Sequence, residues 1–116
     1  MNIEILRDYC LSKEAATESF PFDKSTLVFK VLDKMFALTS LEGELRFNLK
    51  CDPLRALELR EQYYSVTPGF HMNKKHWNTV IIDGELEQNQ IFELIDHSYD
   101  LVVKSLPKYK QKELLS

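Results

Sequence analysis

Glycine and cysteine are scarce in this chain of 116 residues, with three of the first and two of the second. Gly43, Gly69 and Gly84 lie far apart, so no glycine-rich loop is available to cradle a phosphate, and neither GxGxxG nor a P-loop occurs. Cys10 and Cys51 form no CxxC pair and no disulfide framework; each reads as a buried thiol behaving as a small hydrophobe. Long apolar runs are also missing. No stretch has the roughly 20 residues that a membrane-spanning helix needs. Met1 to Ile5 lacks the basic and apolar regions of a secretory leader, so no membrane partner is expected and the cytoplasm is the expected location. There is no internal repeat. Nor is there an excess of basic charge: 15 Lys and Arg against 18 Asp and Glu give a net charge of −3. That argues against a strongly basic nucleic-acid binder. It leaves room for a local basic patch, because surface potential follows the distribution of charge as well as its total.

What is present is ordinary globular material, 44% apolar and 28% charged, at a common size for one domain. Ile3, Leu6 and Cys10 recur at helical spacing behind a capping Asn2, predicting a helix over 3–11. Ser12 as a cap and Glu14 in the next turn predict a second short helical piece. Phe20-Pro21-Phe22 ends it, and the two rings are expected to plug the sheet edge. Thr26–Leu32 and Met35–Thr39 then read as strands joined by a tight hairpin at Asp33-Lys34. After a turn at Leu41–Glu44, Leu45, Phe47 and Leu49 alternate with Arg46, Asn48 and Lys50, completing an antiparallel meander. Asp52-Pro53 starts a helix over 53–63, with Leu54 and Leu57 expected inward and Arg55, Glu58, Arg60 and Glu61 on a solvated flank. Thr79–Ile82 is a further strand. From Gln88 to Leu106, Ile91, Leu94, Ile95, Ser98, Leu101, Val102 and Ser105 repeat at three and four, the strongest helical signal in the chain. Pro107 ends that helix, and 107–116 reads as a polar, basic, mobile tail. The predicted fold is α+β: one domain over 1–106, in which an antiparallel sheet, a meander plus a further strand, packs against helices.

The chemistry concentrates between Val66 and Asp83. Pro68-Gly69 reads as a turn with positive φ at the glycine. Phe70 to Trp77 has neither helical nor alternating periodicity and holds His71, Lys74, Lys75, His76 and the only Trp, followed by Asn78. Lysines neutralise phosphates and an exposed aromatic ring stacks on bases. With Arg46 and Lys50 on the polar face of a strand, these residues form the candidate nucleic-acid contact set. Trp77 taken alone reads as a core residue. His71 and His76 are five apart and fit no HExxH zinc pair, so no metal and no cofactor are expected. Cys51, His71 and Asp52 are the residue types of nucleophile, base and orienting group, yet no GxSxG or related spacing ties them together. No catalytic residue is assigned, and enzyme activity is not expected. A small-anion or nucleotide pocket built by His71, Lys74, His76 and Asn78 is a further reading.

Several runs follow one another in a familiar order: Phe20-Pro21-Phe22, Lys34-Met35-Phe36, Leu49-Lys50-Cys51-Asp52-Pro53, Leu59-Arg60, the whole of Pro68 to Asn78, and Ser98-Tyr99-Asp100-Leu101-Val102. In this the chain resembles the MmcQ/YjbR family of small bacterial proteins, over about residues 1–106. The resemblance implies an α+β fold similar to CyaY and to secretion chaperones. It also implies DNA binding through a double wing, which the net charge of −3 would keep weak and salt-dependent. One wing would be the 66–78 loop and the other a hairpin around Asp33-Lys34 or Leu41–Glu44, with Glu42 and Glu44 counting against the latter. The alternative is a protein-interaction module or homodimer, using an apolar patch around Phe70, Met72 and Trp77.

Overall fold

The computed structural model describes residues 1–115. Its elements are α1 (Ile3–Leu11), β1 (Ala16–Ser19), β2 (Thr26–Val31), β3 (Lys34–Ser40), β4 (Arg46–Lys50), α2 (Pro53–Gln62), β5 (Val66–Pro68), β6 (Trp77–Ile81), α3 (Gln88–Ser105) and α4 (Lys108–Leu115). The strands form one six-stranded sheet in the order β1-β2-β3-β4-β6-β5. Every neighbouring pair is antiparallel. This is the α+β architecture that the sequence predicts.

One face of the sheet is covered. Leu27, Phe29 and Val31 of β2, Phe47 and Leu49 of β4 and Val80 of β6 point to the same side, as period-two strands require, and meet Leu6, Cys10, Ile91, Leu94, Ile95 and Val102 from α1 and α3. Each such buried side chain contributes about 1.5–3 kcal/mol relative to exposure. The polar residue within this stripe of α3 is Ser98, fully buried. Its Oγ donates to the Phe36 carbonyl at 2.5 Å and accepts from the Lys50 N–H at 2.9 Å. Phe36 and Lys50 lie one step beyond the last β3–β4 pair, Ala37↔Leu49, so the Ser98 hydroxyl bridges their backbone groups where that ladder ends.

Five expectations change. Ser12 caps the end of α1 instead of starting a helix, Ala15 turns the chain at φ 60°, and Ala16–Ser19 joins the sheet as β1. Pairing with β2 overrides the local helical signal. Phe20 and Phe22 do not plug an edge: both rings stand in solvent. The β2–β3 turn residues are Leu32 and Asp33, both at positive φ, one position before the expected pair; this is the backbone twist that two-residue hairpins favour. On α2, Leu54 and Leu57 are exposed, while Ala56 is buried and Leu59 packs against the core. The tail forms α4 over Lys108–Leu115, with Leu114 against the core, and Ser116 lies outside the described residues.

Candidate functional site

The second face of the sheet carries no helix. Its strand residues are those that alternate with the core set: Val28 and Lys30 on β2, Leu38 on β3, Arg46, Asn48 and Lys50 on β4, Trp77 and Thr79 on β6. Val28, Leu38 and Trp77 form a small apolar cluster with Met35 and Met72. Met72 comes from the 69–76 loop, which folds back over the face.

That loop is two successive turns, tied by Met72 N–H to the Gly69 carbonyl at 3.2 Å and Trp77 N–H to the Asn73 carbonyl at 3.0 Å. Three further ties hold it. Phe70 N–H donates to Thr79 Oγ1 at 2.9 Å, and the Asn48 amide donates to the Phe70 carbonyl at 3.1 Å. Lys74 Nζ donates to the Gly69 carbonyl at 3.0 Å. From α2, Arg60 donates to Asn78 Oδ1 at 2.7 Å, to the Trp77 carbonyl at 3.3 Å and to the Lys74 carbonyl. Arg60 therefore points inward instead of onto a solvated flank. It is the residue that the sequence does not reveal, because a charge at that helix position looks like surface. Gly69 does not take positive φ. Glycine is required there because a Cβ would come within 2.8 Å of Trp77 Cβ and 2.9 Å of its carbonyl oxygen.

Of the eight predicted contact residues, His76 is half-buried and its carbonyl accepts from the Cys51 N–H at 2.8 Å; the other seven separate into three groups. Trp77 and Asn78 are buried, Trp77 in the small cluster and Asn78 bonded to Arg60 and to the Ala56 carbonyl, so neither is available to a base or a phosphate. Burial here follows from pairing with β4: Trp77 lies opposite Lys50 and Asn78 opposite Leu49. Arg46 and His71 flank Phe70, with the guanidinium over its ring at 4.8 Å and the imidazole 4.0 Å from it. His71 holds φ 58°, an uncommon conformation for a side-chain-bearing residue. Lys50, Lys74 and Lys75 remain on the outer side; none pairs with a carboxylate among the described residues. Lys30 belongs with them. Its side becomes legible only once Val28 is known to face the open side, since apolar residues occupy both faces of Thr26–Leu32.

The pocket of His71, Lys74, His76 and Asn78 does not form, because Asn78 is on the covered side. Nor are Cys51, Asp52 and His71 brought together. Cys51 lies among Leu59, Val80 and Leu94 under the helices, and burial pushes its thiol up to about 11. Asp52 caps α2 by accepting from Arg55 N–H at 3.1 Å, while its own N–H donates to His97 Nε2 at 3.1 Å. Among the described residues no cluster of three His, Cys, Asp or Glu could hold a metal ion, and no helix is long and apolar enough to cross a membrane.

His97 gives the chain a pH dependence. Its Nε2 accepts a hydrogen bond, which requires the neutral ring, and burial followed by the Arg55 charge lowers its pKa from the usual 6.5. A base with a lowered folded-state value contributes stability that is fully present above the unfolded-state value and is lost as pH falls through the folded one. Acidification from pH 7 to 5 is expected to lower the urea midpoint, and His97→Gln to remove most of the histidine component of that slope. A variant with an unchanged pH profile would refute this assignment.

The comparisons agree with this architecture. The YjbR family model matches residues 11–101. The chain is 40% identical over 116 residues to the uncharacterized protein YjbR of Escherichia coli K12, covering 99% of this chain and 98% of that one. The chain belongs to the YjbR family. Within it, the uncharacterized protein YbdF of Escherichia coli O157:H7 is 42% identical over 96 residues, covering 82% of this chain and 79% of its own. The crystal structure of Deinococcus radiodurans DR2400, with a DUF419 domain, superposes with a TM-score of 0.91 at 45% identity, covering 97% of this chain and 87% of that one. A Pseudomonas syringae protein gives a TM-score of 0.75 at 30% identity, covering 87% of this chain and 98% of that one.

Proposed function

We propose that this YjbR-family chain is a non-enzymatic module that binds a nucleic-acid backbone weakly along the open face of its sheet. One observation carries the reading. Among the residues of the six strands the sole carboxylate is Glu18. It lies on the helix side, paired with Arg7 of α1 at 2.5 Å. The open face thus carries Lys30, Arg46 and Lys50 and no strand carboxylate, in a chain whose net charge is −3. Lys75 adds to this at the tip of the 69–76 loop, its backbone fixed by Asn73 Oδ1 at 2.9 Å. Segregated charge of this kind creates a local potential opposite in sign to the whole.

In this reading Lys30, Lys50 and Lys75 meet phosphates, with Lys74 behind them. Phosphate contacts position a protein without reading sequence, and none of these side chains has the paired geometry that reads base edges. The reading extends to double-stranded DNA without sequence preference. It keeps the 69–76 loop as one wing and replaces the ring-stacking role of Trp77 with simple charge.

Fluorescence anisotropy with labelled duplex DNA tests it across a salt series. Binding at low salt should weaken steeply as salt rises, and Lys50→Ala/Lys75→Ala should reduce the slope of log affinity against log salt by about two, near one unit per phosphate contact. Absence of binding at low salt, or a slope untouched by the double variant, would defeat the proposal.

A further inference from the structure

The open face also holds a groove of about 490 Å³, of the size that takes a single small molecule. The 20–25 loop walls it on one side with Phe22, and the 69–76 loop on the other with Phe70, His71 and Met72. Met35 and Leu38 form an apolar floor. Phe22 and Phe70 are 63% and 50% exposed, unusual for residues whose rings are normally covered. They stand on two separate loops, each fixed by its own hydrogen bonds. Asp23 accepts from the N–H groups of Ser25 and Thr26 at 2.9 and 2.7 Å and from both hydroxyls, and Phe70 is held by Thr79 and Asn48. The backbone that carries both walls is therefore fixed, which reduces the ordering cost of binding between them.

Charge selects the ligand class. Two charged side chains line the groove, Asp23 and Arg46. Asp23 spends its oxygens on the turn that it caps. Arg46 makes no ion pair among the described residues, and its guanidinium lies over the Phe70 ring at 4.8 Å. That leaves its N–H groups at the edge of an apolar cleft, the arrangement that recognises a planar carboxylate. We infer that the groove is a binding site for a small aromatic carboxylate, its ring seated on the Met35 and Leu38 floor between the two loops that carry Phe22 and Phe70, and its anionic group on Arg46. This goes beyond backbone binding: it uses Arg46 and the inner wall of the loop, where the DNA reading uses the lysines outside it.

The probe is 1-naphthoate, with 1-naphthalenemethanol as an uncharged match, titrated into ¹⁵N-labelled protein without nucleic acid. Saturable shifts are expected at Phe70, His71, Met72 and Asn48, with the carboxylate bound about ten-fold more tightly than the alcohol. Arg46→Met should abolish that ratio while leaving alcohol binding in place. Phe22→Ala, at an exposed ring, should weaken both ligands about equally. Equal affinity for the two molecules in wild type would overturn the assignment, as would shifts centred on the helix side. No saturation at millimolar probe would do the same. Groove signals that move on dilution of the protein alone would place a second copy there and overturn it too. Failure of the DNA titration leaves each of these outcomes unchanged.

Discussion

Ser98→Ala is expected to lower the unfolding free energy by about 3 kcal/mol and the melting temperature by about 12 °C. The argument is one of stranded partners. A single fully buried hydroxyl serves the Phe36 carbonyl at 2.5 Å and the Lys50 N–H at 2.9 Å, and alanine leaves both backbone groups in the core without it. Each unsatisfied buried group costs about 1–3 kcal/mol, whereas the volume lost is only one oxygen. Equilibrium urea unfolding measures the total, and amide exchange at Lys50 reports the local share. The two should move together. A loss below about 1 kcal/mol would mean that neighbouring groups or water re-satisfy the pair. Ser98→Val, which fills the site but donates nothing, should be at least as damaging.

Gly69→Ala is expected to cost about 1–3 kcal/mol and to lift the 69–76 loop off the sheet. The added methyl would meet Trp77 Cβ at 2.8 Å, the Trp77 carbonyl at 2.9 Å and Met72 Cβ at 3.1 Å. The first two belong to β6, which is paired on both sides and cannot retreat, so the loop must move. Its displacement breaks the 2.8 Å bond from Gly69 N–H to the Trp77 carbonyl and pulls Met72 away from the indole. Trp77 is the chain's single tryptophan, so its emission should shift to longer wavelength as water reaches the ring. Both proposed ligands should weaken, since Phe70 leaves the groove wall and Lys75 leaves the rim. Unchanged emission together with an unchanged urea midpoint would sink the prediction.

The sequence announces those elements whose burial follows from their own period. In α3 the repeat at three and four is complete, and in β4 the alternation of Leu45, Phe47 and Leu49 with polar residues assigns each face correctly. Where tertiary pairing decides, local signals mislead. Ser12 and Glu14 look like a helix start, yet the register Ala16↔Val31 to Ser19↔Val28 draws Ala16–Ser19 into the sheet. On α2, leucines at 54 and 57 mimic a core stripe while the inward positions are Ala56, Leu59 and Arg60. The candidate site shows the same division. The 69–76 loop stands out by composition, but the burial of Trp77 and Asn78 and the inward reach of Arg60 depend on which residues β4 and α2 bring opposite them. Lys30 carries no local signal and Phe22 reads as an edge plug; the sheet register turns the first to the open face, and the second stands in solvent.

A sheet without a helix on its second face could also be extended sideways, by a strand from another chain. The two lateral borders prevent this. At one, β5 is three residues long and ends in Pro68, which has no N–H to offer. At the other, β1 is four residues long, entered through the left-handed turn at Ala15 and left through Phe20-Pro21. Neither border provides a template of sufficient length for another chain to add a strand. Stacking face to face is opposed by the like charges of Lys30, Arg46 and Lys50. Both lateral borders are thus closed to further strands, and what the sheet offers to a partner is its charged face and not its edges.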